Sequence, residues 1–145
     1  FSLQPGHPNE AAPGKRPLHT LSPTLWTQGG RLALLLGTRG GHQQPQYLLQ
    51  MAALMFVAGY DPAAAQAEPR WNIERPGADG TSVLVAESRM PEDLVAGLRL
   101  LGHTVETGPA LAPGWGPVSV IAVGADGVRR AAADPRVATA RAGAQ

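Results

Sequence analysis

Leu34-Leu35-Leu36-Gly37-Thr38-Arg39-Gly40-Gly41-His42-Gln43-Gln44-Pro45-Gln46 carries an apolar strand into a glycine pair and then into a helix start. The run Leu32-Ala33-Leu34-Leu35-Leu36 is apolar on both faces of a strand, which predicts a place in the middle of a layered structure. Downstream, Pro45 suits a first helical turn, where its missing N–H costs nothing. Tyr47, Leu48, Met51, Leu54, Met55 and Ala58 then follow at helical spacing, so an amphipathic helix is expected, stopped by Gly59. Between strand and helix, Gly40 and Gly41 present two adjacent N–H groups free of side-chain cover. An oxyanion hole for acyl transfer needs such a pair. A tight turn needs it too, and with 18 glycines in 145 residues the pair by itself leaves both readings open.

Outward from this junction the chain alternates. Leu18 to Thr27 and Arg31 to Thr38 are apolar runs on either side of Gln28-Gly29-Gly30, which predicts a β-hairpin with a glycine turn. Asp61-Pro62 caps a short helix from Ala63 to Ala67, ahead of Glu68-Pro69-Arg70-Trp71. Thr81 to Glu87 reads as a strand, Pro91 to Leu101 as a helix closed by Gly102, and His103 to Glu106 as another strand. Val118 to Val123 and Val128 to Ala133 flank Gly124-Ala125-Asp126-Gly127, a second hairpin. The fold class is therefore α+β. Gln4 to Pro17, with four prolines and two glycines, predicts an extended surface loop, and Asp134 to Gln145 a surface-running tail without chemistry. Neither an internal repeat nor a domain boundary is visible, so residues 1–145 read as a single-domain fragment.

Composition removes several functions. With 43% apolar and 16% charged residues the chain can bury a core. A net charge of +1 with 12 scattered basic residues gives no basic stripe, so no nucleic-acid partner is expected. The absence of cysteine excludes disulfides, zinc-thiolate sites and a cysteine nucleophile, and leaves the redox compartment open. His7, His42 and His103 have no acidic or thiol neighbours at ligand spacing, so neither a metal nor another cofactor is called for; His42, beside Gly41, is the histidine to watch. The apolar run from Tyr47 to Gly59 is too short to span a bilayer. Phe1-Ser2-Leu3 has the character of neither a translation start nor a signal peptide, so the chain reads as a piece of a longer one.

Several segments, in order, resemble the γ-glutamyltransferase family. They are Pro13-Gly14-Lys15-Arg16-Pro17-Leu18-His19-Thr20-Leu21-Ser22-Pro23-Thr24, the strand ending in Gly40-Gly41, Gly59-Tyr60-Asp61, Ala67-Glu68-Pro69-Arg70-Trp71 and Ala133-Asp134-Pro135-Arg136. The resemblance implies part of a four-layer αββα N-terminal-nucleophile hydrolase, namely the C-terminal portion of the small subunit released when a precursor cleaves itself. In that family a new N-terminal threonine attacks the amide or γ-glutamyl bond, with its own amino group as base. Phe1 is not that threonine, and the family's nucleophile lies upstream of the matching segment. The expectation is a chain inactive by itself, tightly partnered by the large subunit and the rest of the small one.

Carried over position by position, the family's oxyanion hole falls on Gly40 and Gly41. His19-Thr20 falls where many members have two serines that bind a substrate α-carboxylate; Thr20 keeps one hydroxyl donor, and His19 offers a ring N–H or simply faces solvent. Arg39 stands where the family often has a small residue or proline. It is a candidate for two-pronged binding of a substrate carboxylate, with a surface salt bridge as the alternative. The Pro5 to Gly14 loop is shorter than the lid of some members, which suits bulkier acyl groups or hydrolysis by water. These departures favour the acylase or amidohydrolase branch over glutathione processing. Asp134-Pro135-Arg136 reads as a turn fastened by a salt bridge and Arg70-Trp71 as packing. A non-catalytic homologue that keeps the fold as a binding or structural module remains the alternative from a different class.

Overall fold

The computed structural model describes residues 2–16, 21–76 and 82–143. Strands β1 (Thr24–Gln28) and β2 (Arg31–Thr38) form the expected antiparallel hairpin, closed by Gly29 and Gly30 at φ 56° and 76°. Two further strands, β6 (Val118–Val123) and β7 (Arg129–Ala132), complete a four-stranded sheet in the order β1-β2-β6-β7, antiparallel throughout. The second predicted hairpin is thus present.

Side chains alternate across this sheet, and its two faces differ. Leu34, Leu36, Val118 and Val120 turn toward helices α1 (Gln44–Phe56) and α2 (Pro62–Ala67), where they bury with Leu48, Met51, Ala52 and Ala65. Each large apolar side chain so buried contributes about 1.5–3 kcal/mol relative to exposure. On the other face the register aligns Leu25, Leu35, Ile121 and Ala131 across the four strands. Leu25 is 64% and Ile121 41% exposed there, and no helix of the described residues covers them. Strand β2 is therefore central and apolar on both faces, as read, but covered on only one.

The second sheet runs β3-β4-β5, from β3 (Trp71–Pro76), β4 (Ser82–Glu87) and β5 (Thr104–Gly108). Strands β4 and β5 are parallel, with α3 (Glu92–Leu100) between them in sequence, and a second apolar cluster forms around Leu84, Ala86, Met90, Val95 and Val105. Strand β3 was not foreseen: Asn72, Glu74 and Arg75 interrupt any apolar alternation, and it is the antiparallel pairing with β4 that makes it a strand. Helix α2 starts one residue earlier than read, with the Asp61 side chain accepting the Ala64 N–H at 2.8 Å. The proline-rich loop curls back instead of extending: Ser2 bridges to Glu10, and the Gly6 N–H donates to the Glu10 carboxylate.

A buried ionic group lies between the two apolar clusters, and here one reading of the sequence is extended and another corrected. Trp71 packs against the second cluster as read, but its neighbour Arg70, 3% exposed, also pairs with Asp134 at 2.7 Å. Asp134-Pro135-Arg136 is a turn with the expected internal salt bridge, at 3.3 Å, but the tail it opens does not begin on the surface. Arg136 is buried, pairs with Glu87 at 2.5 Å and donates to the carbonyls of Gln66 and Glu68. The start of the tail thus pins the end of β7 to α2 and β4. Among the described residues no helix is long and apolar enough to cross a membrane.

Candidate active site

The strand-to-helix junction is built as the sequence indicates. Strand β2 ends at Thr38, Arg39 follows, and Gly40 and Gly41 take φ 135° and 56° before a single 3₁₀ turn, Gly41–Gln43, leads into α1 with Pro45 in its first turn. Positive φ favours glycine at both positions. Gly40 also lacks room, because a Cβ there would lie 3.0 Å from the Tyr47 ring. At Gly41 a Cβ would meet nothing within 4 Å, so that side of the turn is open.

The two carbonyls are used and the two amides are not. Gly40 C=O accepts from the Gln43 N–H at 3.1 Å and Gly41 C=O from that of Gln44. Neither the Gly40 nor the Gly41 N–H meets an acceptor among the described residues. Both donors stand at the N-terminal end of the 3₁₀ turn and the 13-residue α1, where aligned peptide dipoles favour negative charge. Such a site can hold the oxyanion of a tetrahedral intermediate. Gly29 and Gly30, by contrast, only close the β1–β2 hairpin.

Beside the junction, at the ends of β2 and β6, lies an open cleft of about 650 Å³ lined by Thr38, Arg39, Ser119 and Arg141 among others. Arg39 is exposed there, and no carboxylate of the described residues pairs with it, so the surface salt bridge is not formed within this part of the chain. His42 is exposed in the 3₁₀ turn next to Gly41. His19 and Thr20 lie outside the described residues.

Behind the glycine pair stand residues read from the sequence in other roles, Tyr47 on the apolar face of α1 and Arg70 in packing. Tyr47, 2% exposed, lays its ring against Gly40 and Gly116, and burial pushes its hydroxyl up to about 12. Arg70 donates through Nη1 to the carbonyls of Gly116 at 2.7 Å and Trp115 at 3.2 Å, and through Nη2 to Gln66. Burial, aided by Arg136, lowers the pKa of Arg70, and the Asp134 carboxylate opposes the shift. At Gly116 the local signal is Gly114-Trp115-Gly116-Pro117, a glycine-proline cluster that also reads as a plain turn.

The layered α+β fragment matches solved N-terminal-nucleophile hydrolases in fold. Its backbone matches the crystal structure of cephalosporin acylase from Bacillus halodurans with a TM-score of 0.81 at 29% identity, covering 94% of this chain and 24% of that one. Residues 1–144 match the γ-glutamyltranspeptidase family model, and the chain belongs to that family. It is 35% identical over 136 residues to the glutathione hydrolase-like YwrD proenzyme of Bacillus subtilis, covering 94% of this chain and 26% of that proenzyme. It is 32% identical over 143 residues to the oxamate amidohydrolase proenzyme of Klebsiella pneumoniae, covering 99% of this chain and 27% of that one. The chain thus spans about a quarter of the length of the curated relatives it matches.

Proposed function

We propose that this chain supplies the oxyanion hole and one wall of the substrate pocket of an autoprocessed amidohydrolase or acyltransferase of the γ-glutamyltranspeptidase family. The observation that carries the proposal is the pair of adjacent amides, Gly40 and Gly41, held at positive φ with no acceptor among the described residues. In the reaction, a threonine outside these residues attacks a γ-glutamyl or related amide carbonyl and forms an acyl-enzyme. The two N–H groups hold the charge that develops on the carbonyl oxygen, and losing one such donor costs about 3–4 kcal/mol of transition-state stabilisation in a well-studied protease. Arg39, on the cleft wall, receives a carboxylate of the substrate, and in sequence His19 and Thr20 correspond to the family's carboxylate-binding serines.

The row Leu25, Leu35, Ile121 and Ala131, with no helix of the described residues over it, supports the partner assignment, because a sheet apolar on both faces needs a second layer. That layer is the remainder of the precursor. The relatives named as proenzymes of oxamate amidohydrolase and of a glutathione hydrolase-like protein favour an amide substrate, and the cephalosporin acylase match supports an acyl amide beside a γ-glutamyl one. Gly41→Val in the complete protein tests the proposal: turnover of amide substrates disappears, and full activity in that variant removes the glycine pair from the site.

A further inference from the structure

We infer that Thr38 and Gly116 position the Gly40 amide by fixing the carbonyl of Arg39 on the same peptide plane, an inference that rests on Gly40 and Gly41 being the oxyanion donors. A trans peptide is flat, so the Arg39 C=O and the Gly40 N–H point in opposite directions and turn together. Whatever holds one oxygen therefore aims the other donor. Two residues hold it.

The first is Thr38. Its hydroxyl lies 3.0 Å from the Arg39 carbonyl oxygen, 2.8 Å from that of Gly116 and 3.0 Å from that of Pro117. One proton is shared among three acceptors, and it ties the last residue of β2 to the loop that enters β6. Valine would fit a β2 position paired with Val118 at least as well, so strand formation does not explain the hydroxyl.

The second is Gly116, at φ 56°. A Cβ there would fall 2.7 Å from the Arg39 carbonyl oxygen and 2.1 Å and 2.4 Å from Cδ2 and Cε2 of Tyr47. Tyr47 in turn lies against Gly40, so Gly116 touches both the peptide that precedes Gly40 and the ring that follows it in the helix. Its own carbonyl is held from behind by Arg70 at 2.7 Å. A single added methyl group cannot be accommodated without moving the Arg39 peptide or the Tyr47 ring, and each movement reaches Gly40.

Neither Thr38 nor Gly116 has to touch substrate for this, and both are positioning residues. A donor swung off its line weakens the transition state while leaving most ground-state contacts intact, so the effect belongs in kcat rather than KM.

The test uses the complete mature enzyme and whichever of a γ-glutamyl anilide or a simple acyl amide the wild type turns over, with active sites counted from the acylation burst. Thr38→Val and Gly116→Ala are expected to lose about tenfold to a hundredfold in kcat per active site, the scale set by small misplacements of catalytic groups. KM stays within about twofold, and Thr38→Ser recovers most of the rate. Wild-type kcat in Thr38→Val overturns the inference, as does a Thr38→Ser variant that falls as far as Thr38→Val. Should Gly116→Ala fail to fold, the valine and serine pair still decides. If Gly41→Val is inactive while Thr38→Val and Gly116→Ala run normally, this inference fails alone; if Gly41→Val is fully active, the assignment of the donors fails with it.

Discussion

Replacing Tyr47 by phenylalanine removes one hydroxyl and leaves the ring that backs Gly40 and Gly116 in place, which makes it a clean probe of the electrostatics behind the site. The tyrosine is 2% exposed, and its pKa rises from 10.0 to about 12, first through burial; Glu74 adds to the rise, and Arg70 and Arg136 oppose it. A raised pKa means that the folded chain holds the proton more tightly than the unfolded one. The stabilisation is therefore complete below about pH 10 and is lost as pH climbs through about 12. At about 1.4 kcal/mol per pH unit, the full contribution is about 2.7 kcal/mol, of which about half is gone by pH 11. Urea unfolding of the two proteins across the alkaline range, together with tyrosinate absorbance, measures it. The wild type should lose about 2–3 kcal/mol relative to Tyr47→Phe on going from neutral pH to about pH 12. Stability curves that stay parallel would show that the hydroxyl is not protected by burial.

Arg39→Ala should raise KM for carboxylate-bearing substrates about tenfold or more, the worth of a charged hydrogen bond, with kcat nearly constant; an unaltered KM removes Arg39 from the pocket. Arg136→Met leaves the buried Glu87 carboxylate without its main partner and should cost about 3–5 kcal/mol in urea unfolding. A loss below about 1 kcal/mol would mean that water or the neighbouring Arg89 replaces the guanidinium.

Most of the elements could be read from local pattern because their causes are local. The Gly29-Gly30 turn fixes β1 and β2, Pro45 and the apolar spacing fix α1, and Asp61 caps α2 through a bond three residues away. The glycine pair was recognisable as a candidate for the same reason: its positive φ values and its bare amides follow from having no side chains. What was misread depends on distance along the chain. Asp134 finds Arg70 and Arg136 finds Glu87 from across the sequence, and nothing within a few residues of either predicts burial of a charge. Strand β3 fails the alternation test because its partner strand, and not its own composition, makes it extended. The support beneath the site was hidden likewise, since Thr38 and Gly116 are 78 residues apart and each looks ordinary alone.

The ionic joint of Arg70, Asp134, Glu87 and Arg136 has a mechanical consequence. The clusters around Leu34 and Leu84 remain separate, so adhesion between the two lobes does not scale with shared apolar area. A greasy seam yields gradually, each ångström of slip exposing a little more surface. Discrete, directional bonds between buried charges let go together. Each lobe then acts as a cooperative unit with its own opening free energy, visible as two tiers of amide hydrogen exchange. The ionic joint shares the task of passing rigidity between the lobes with the Gln46 and Gln50 side chains of α1, which exchange hydrogen bonds with the backbone of Ile73 and Trp71 in β3.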